Sequence, residues 1–180
     1  MTDTPPSAAN PPFASLVRDV PDFPKPGIVF KDITPLLADP VALKAAVAAM
    51  ADPYRENPPA KLLAAEARGF LFAVPMALEL GCGVVPVRKP GKLPAATAKV
   101  EYELEYGTDA LEMHADALAP GERALIVDDV LATGGTVAAC VTLARDAGAE
   151  VVGAAFLIEL AFLNGRAKLD GLPVTAAATY

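Results

Sequence analysis

The sequence predicts an α/β protein with a doubly wound, mainly parallel sheet. Short apolar runs of strand length alternate along the chain with segments of helical spacing. Several of these runs are apolar at every position, as in strands that are buried on both faces; residues 124–127 are an example. Polar or charged residues follow the runs, at the sheet edge where α/β proteins bind their ligands.

Length and composition favour a single globular domain. The chain has 180 residues, of which 53% are hydrophobic and 21% are charged, enough to bury a sizeable core. Residues 1–12 hold four prolines and almost no large apolar side chain, which predicts a disordered tail. We therefore expect one domain over residues 13–180.

Charge and cysteine content exclude several classes of partner and compartment. The net charge is −7, and no Lys/Arg-rich block is present, so nucleic-acid binding is not expected. No signal peptide and no uninterrupted apolar run of membrane-spanning length is found. Cys82 and Cys140 lie in apolar surroundings, typical of buried thiols in a reducing compartment. We expect a cytoplasmic protein that does not bind membranes.

In the first half of the chain, residues 13–20 are predicted to be helical, residues 28–30 extended, and residues 40–50 helical with Asp39 as the N-cap. Residues 61–65 and 83–87 form apolar runs that predict two core strands. The segment between them has helical spacing and is followed by Gly81, a residue suited to the position after a helix.

In the second half, residues 93–114 mix polar and aromatic residues in partial alternation, which predicts an exposed hairpin or flap. Beyond it the pattern predicts four more elements. These are a strand at 124–127, a helix at 135–147, a strand at 151–158 and, after a short helix at 164–169, a last strand at 172–179.

The stretch 124–136 is the strongest indication of a ligand site. Its buried strand is followed by Asp128 and Asp129, then by a glycine turn at Gly134 and Gly135 that leads into a helix. Glycines allow close approach of the backbone, and the N–H groups at a helix start favour phosphate. A sugar with vicinal hydroxyls, a bound magnesium ion, or both would account for the two carboxylates. The stretch indicates a site for a phosphorylated sugar.

Cationic side chains follow two other predicted strands. Arg68 comes after the first strand, and Arg88 and Lys92 come after the second. Because the carboxyl ends of parallel strands line one crevice, these cations suit a ligand with phosphates at one end. Serine hydrolysis is not expected, since the only serines, Ser7 and Ser15, lie outside the predicted core. No phosphate-binding G-x-x-x-x-G-K-[ST] motif is present.

Residues 127–136, Val-Asp-Asp-Val-Leu-Ala-Thr-Gly-Gly-Thr, resemble the phosphoribosyl pyrophosphate (PRPP) motif of the type I phosphoribosyltransferases. Residues 23–30, 67–72, 88–94 and 104–107 resemble, in the same order, segments of the adenine-specific members of that family. The resemblance implies a central sheet with a small hood and a mobile flap. It also implies a homodimer that converts adenine and PRPP into AMP and pyrophosphate, with Mg²⁺ held mainly through PRPP and not directly by the protein.

The resemblance also implies roles for individual residues. Asp128 and Asp129 would bind the ribose hydroxyls, and Arg68 would lie in the pyrophosphate loop. The other residues expected to contact PRPP or AMP are Ala132, Thr133, Gly134, Gly135 and Thr136 at the 5′-phosphate, Arg88 and Lys92 near the diphosphate, and Tyr106 in the flap.

Adenine would be bound by residues from distant parts of the chain, namely Val29, Phe30, Lys31 and Leu160. Lys31 stands where members of the family commonly carry arginine, a side chain whose hydrogen-bonding geometry differs from that of lysine. Glu105 in the flap would exchange a proton at adenine N7, which makes it, together with Arg68 and Asp129, a candidate catalytic residue.

Two alternatives stay open at this point. One is a regulatory protein of the same fold that binds PRPP without catalysis, although such a protein usually carries a DNA-binding segment. The other is a phosphoribosyltransferase for hypoxanthine, guanine or xanthine; the segments around Phe30 and Glu105 favour adenine.

Overall fold

The computed structural model describes residues 10–103, 108–169 and 171–180. The chain divides into two compact units, Met1–Ala46 and Val47–Tyr180. In chain order the elements are β1 (Arg18–Pro21), β2 (Val29–Asp32), α1 (Thr34–Ala38), α2 (Pro40–Ala51), β3 (Lys61–Ala65), α3 (Gly69–Leu80), β4 (Gly83–Val87), β5 (Thr97–Glu103), β6 (Thr108–His114), β7 (Arg123–Leu131), α4 (Gly135–Asp146), β8 (Glu150–Glu159) and β9 (Val174–Thr179), with 3₁₀ segments at Pro12–Leu16, Asp52–Tyr54, Ala161–Leu163 and Gly165–Lys168.

The smaller unit contains an antiparallel hairpin of β1 and β2. The helix predicted over residues 13–20 is wrong beyond Leu16, because Arg18–Pro21 pairs with β2 as a strand. Cross-strand pairing overrides the local apolar spacing on which that prediction rested. The predicted N-cap of α2 is confirmed: the Asp39 carboxylate accepts the backbone N–H groups of Val41 and Ala42, each at 2.9 Å.

The larger unit is built on a five-stranded sheet in the order β4-β3-β7-β8-β9, with every neighbouring pair parallel. Leu63 at the centre of β3 lies between Val85 and Ile126 in register, and all three side chains are buried. The predicted α/β class with a parallel central sheet is confirmed.

Helices cover both faces of the sheet. The buried side of α4 shares one apolar cluster with Leu63 and Ile126. Side chains alternate between the faces of a strand, so Ala64 points to the other side. There, a Cβ placed on Gly69, the first residue of α3, would lie 3.5 Å from the Cβ of Ala64. The sheet is therefore wound on both sides, with its carboxyl edge left open to the loops.

Strand β7 is longer than the sequence predicted. The prediction ended the strand at Val127, whereas β7 continues to Leu131 and pairs with β8 through its last residue. Asp128 and Asp129 therefore lie within β7, near its carboxyl end. Because side chains alternate along a strand, theirs point to opposite faces of the sheet. The predicted strand end was wrong because two adjacent carboxylates are unfavourable in a strand by local propensity. In the structure, backbone pairing with β8 extends the strand past them.

The predicted hairpin is confirmed as the antiparallel pair β5–β6, in register from Thr97 opposite His114 to Glu103 opposite Thr108. Leu111 and Met113 on β6 belong to the apolar core. The predicted flap residues 104–107 lie outside the described residues. Among the helices of the described residues, none has the length and apolar character needed to span a bilayer.

Candidate active site

Arg68 is placed by the junction between β3 and α3. The peptide bond between Glu66 and Ala67 is cis, and α3 begins directly after Arg68. The Nε atom of Arg68 lies 2.6 Å from Oδ2 of Asp129, whose side chain is 6% exposed. The contact is an ion pair. The neighbouring strands β3 and β7 thus bring the guanidinium of Arg68 and the buried carboxylate of Asp129 together.

The two carboxylates of β7 lie in different environments. Oδ1 of Asp128 accepts the backbone N–H of Asp129 at 2.8 Å. Burial, followed by the charge of Asp129, raises the pKa of Asp128 well above its ordinary value of 3.8. A Cβ on Gly69 would lie 3.0 Å from the Asp128 carboxylate, so glycine is the residue that leaves room for it at the start of α3.

The glycine turn forms a small concave site at the start of α4. A partly open pocket of about 70 Å³ lies there. Gly134 has a φ of +82°, a conformation that other residues adopt only with strain. The first N–H groups of α4 open toward this loop, an arrangement that favours a phosphate group. The residues that line the cavity are Asp128, Val130, Ala132, Thr133, Gly134, Gly135, Thr136 and Val137.

The segment after β4 is tied to the segment after β3. The guanidinium of Arg88 pairs with Glu66 and lies 5.9 Å from the ring centroid of Phe70. This pairing lowers the pKa of Glu66, and the nearby charge of Lys92 lowers it further. Arg68, Asp128, Asp129 and the turn thus share one edge of the sheet, while Arg88 and Lys92 surround Glu66 beside them.

The residues expected to bind the base are divided between the two units. Leu160 directly follows β8, and its N–H donates to the carbonyl of Leu131 at 3.0 Å. In the smaller unit, the Phe30 ring meets the edge of Phe23 with centroids 5.2 Å apart. Lys31 donates to the Asp19 carboxylate at 2.6 Å, and the neighbouring Val29 is exposed. Glu105 and Tyr106 lie outside the described residues.

Sequence reasoning missed two residues of this region. Tyr102 on β5 donates to Asp109 at 3.4 Å, and the nearby Thr136 hydroxyl partly offsets the rise in the Tyr102 pKa that burial causes. Glu66, the first residue after β3, holds Arg88. The alternation of residues 101–105 and the position of Glu66 at a strand tip were the available signals, but neither indicates a partner.

Comparison with known proteins decides the family. The family model of the phosphoribosyl transferase domain matches residues 34–170. The adenine phosphoribosyltransferase of Thermobifida fusca is 58% identical over 163 residues, covering 91% of this chain and 93% of the relative. The chain belongs to the adenine phosphoribosyltransferase family.

Solved structures of the family agree with this membership. The adenine phosphoribosyltransferase of Thermoanaerobacter pseudethanolicus superposes with a TM-score of 0.90 at 50% identity, covering 93% of this chain and 98% of the other. That of Saccharomyces cerevisiae, in complex with an imino-altritol bisphosphate and adenine, gives a TM-score of 0.86 at 38% identity, with coverages of 92% and 98%. The resemblance and the fold predicted from the sequence are confirmed.

Proposed function

We propose that this chain transfers the 5-phosphoribosyl group of PRPP to adenine, giving AMP and pyrophosphate, a reaction of purine salvage. The observation that carries the proposal is the pairing of Arg68 with Asp129 next to the loop 132–136, all at the carboxyl edge of the sheet. Family relatives that are named for this activity support the choice of substrates.

PRPP suits this edge because its phosphates and hydroxyls complement the groups of the site: backbone N–H groups and cations for the phosphates, carboxylates for the hydroxyls. The loop 132–136 would hold the 5′-phosphate through backbone N–H groups and the hydroxyls of Thr133 and Thr136. Asp128 and Asp129 would accept hydrogen bonds from the ribose hydroxyls. Arg68 would contact the pyrophosphate, with Arg88 and Lys92 contributing positive charge nearby.

Magnesium fits the same edge as a partner of the substrate. Among the described residues, no group of three or more His, Cys, Asp or Glu side chains could hold a metal ion. Mg²⁺ keeps several waters and is commonly bound by one or two carboxylates together with substrate phosphates. Here the substrate would supply most of the contacts, so that Mg²⁺ is held mainly through PRPP and not directly by the protein. The ion would stabilise the charge that develops on the leaving pyrophosphate.

The family resemblance assigns contacts with the adenine ring to the side chains of Phe30 and Leu160, and contacts with its edge to the backbone at Val29 and to Lys31. Bond formation between adenine N9 and C1 of the ribose accompanies cleavage of the bond to pyrophosphate. The surplus proton of adenine would pass from N7 to the carboxylate of Glu105, the general base that the resemblance implies. Tyr106 and the flap would keep water from the oxocarbenium-like sugar.

An assay with alternative bases tests the proposal. Purified protein with PRPP and Mg²⁺ should convert adenine into AMP far faster than it converts hypoxanthine, guanine or xanthine. Absence of AMP together with PRPP binding in calorimetry would support the regulatory alternative. Faster turnover of another purine would show that the enzyme is specific for that purine and not for adenine.

Two variants separate the assigned roles. Asp129→Ala should mainly weaken the use of PRPP, because it removes a ligand of the ribose. Glu105→Ala should mainly lower kcat, because it removes the proton acceptor. Near-normal kinetics for both variants would contradict the assignments.

A homodimer and a cytoplasmic location complete the proposal. Both are expected from the family resemblance and from the composition of the chain. Sedimentation velocity at micromolar concentration should give twice the mass of the 18.5 kDa chain. A sedimenting species with the mass of one chain would contradict the dimer.

A further inference from the structure

The short 3₁₀ segment Gly165–Lys168 packs directly behind the loop 132–136. A Cβ on Gly165 would overlap the carbonyl oxygen of Ala132, and a Cβ on Gly134 would lie 2.5 Å from the carbonyl oxygen of Gly165. Neither position has room for a side chain. The backbone at Gly165 therefore packs directly against the turn at Gly134 and limits where that turn can lie.

Arg166 links the segment Gly165–Lys168 to the sheet. Its Nε and Nη2 atoms donate to the two oxygens of Glu159 at 2.7 Å and 2.6 Å, and its Nη1 donates to the carbonyl of Val174 at 2.9 Å. Glu159 ends β8 and is 8% exposed, while Val174 begins β9. A planar guanidinium that grips both oxygens of one carboxylate fixes orientation as well as distance.

The same attachment reaches the residue expected to contact adenine. Leu160 follows Glu159 in the chain, and its N–H is bonded to the carbonyl of Leu131, the residue before Ala132. Arg166 thus fixes the carboxylate of Glu159. The next residue, Leu160, is expected to contact adenine, and the segment that carries Arg166 lies behind the loop 132–136.

We propose that Arg166 is a positioning residue, which holds Gly165 against the loop 132–136 through its paired hydrogen bonds to Glu159. Its guanidinium is engaged by Glu159 and Val174, so no contact with either substrate is assigned to it. The inference rests on the proposed function, since it assigns the loop to the 5′-phosphate. Loss of the paired hydrogen bonds would allow the segment Gly165–Lys168 to shift relative to the loop 132–136. Displacement by about 1 Å of groups that position a substrate can lower the rate by up to about a hundredfold.

The deciding variant is Arg166→Lys, which keeps the charge opposite Glu159 and loses the two-pronged geometry. We expect the Kd for ribose 5-phosphate in calorimetry and the KM for PRPP to rise at least about tenfold, with a cooperative thermal transition retained. Glu159→Gln should produce a change of the same kind. The matched control is Lys168→Met, which removes a cation from the same segment and should leave both constants unchanged.

The outcomes separate this inference from the function on which it rests. Wild-type protein that forms no AMP would overturn the proposed function. Active wild-type protein, with Arg166→Lys binding ribose 5-phosphate as tightly as wild type, would overturn the positioning role. An equal weakening in Lys168→Met would also overturn it, because the effect would then be one of overall charge. If Arg166→Lys fails to fold, Glu159→Gln decides by the same measurements.

Discussion

Arg68 Nε lies 2.6 Å from Asp129 Oδ2, and the arginine side chain is 46% exposed whereas the aspartate side chain is 6% exposed. The two groups stand at the carboxyl ends of adjacent parallel strands, β3 and β7. An accessible cation is thereby oriented by a buried anion, next to the loop that suits a phosphate. Both partners of the pair are expected to contact PRPP.

Replacing Arg68 with methionine tests this pairing. We expect kcat/KM for PRPP to fall by about a hundredfold to a thousandfold, as for loss of one preorganised donor at a developing anion. Solvent screens the half-exposed guanidinium, so the free energy of unfolding should fall by only about 1 kcal/mol. Arg145→Met, at an exposed arginine in the last turn of α4, is the control and should keep wild-type kinetics. An equal loss in both variants would refute a local role for Arg68.

The raised pKa of Asp128 makes stability depend on pH in a definite direction. The folded protein binds the Asp128 proton more tightly than the unfolded chain does. The free-energy cost of ionising this carboxylate therefore grows as pH rises from 3.8 toward the folded pKa. Asp128→Asn removes that cost, so its urea midpoint should exceed that of wild type, by a margin that increases with pH.

Urea titrations at several pH values from about 4 upward measure this margin, which should rise from near pH 4 and become constant once the folded pKa has been passed. Asp146→Asn, at an exposed aspartate that ends α4, is the control, and its margin should not change over the range. A margin for Asp128→Asn that does not rise anywhere above about pH 4, or that falls with pH, would contradict the raised pKa. The same variant should bind PRPP more weakly, since it replaces a proposed ribose ligand.

The sequence predicted most of the sheet and its helices, because the buried parallel strands are continuous apolar runs bounded by glycines. Gly81, for example, was expected after α3 and has a φ of +69° there. The hairpin of β1 and β2 was not predicted in full, since its first strand is short and exposed and depends on pairing with the second.

For the candidate site, the sequence predicted which strand tips carry charge but not which charges meet. Adjacent carboxylates such as Asp128 and Asp129 look equivalent in a sequence, yet only the three-dimensional pleat assigns Arg68 to one of them. The partner of Arg88 was likewise unpredicted, because ion pairs between separate loops have no periodicity that local patterns could detect.

Gly134→Ala separates backbone strain from steric overlap in the phosphate loop. Alanine at this φ of +82° costs about 1–2 kcal/mol from conformation alone. A Cβ there would also lie 2.5 Å from the carbonyl of Gly165, so the total loss of unfolding free energy should be larger. The control is Gly121→Ala, with a φ of +76° and no neighbour within 4 Å of the added Cβ. Equal losses in denaturant unfolding would show that Gly165 yields without cost.

A double-mutant cycle tests the link between the hairpin and the phosphate loop. The Thr136 hydroxyl partly offsets the rise in the Tyr102 pKa that burial causes, so the two side chains interact. Tyr102→Phe and Thr136→Val should therefore be non-additive in unfolding free energy, by about 0.5–1.5 kcal/mol. Thr142→Val is the control on the same helix, because its hydroxyl donates to the carbonyl of Ala138 at 3.0 Å instead. Combined with Tyr102→Phe, it should be additive. Additivity of both pairs would mean that β5 is held over α4 by apolar packing alone, without help from the Tyr102 hydroxyl.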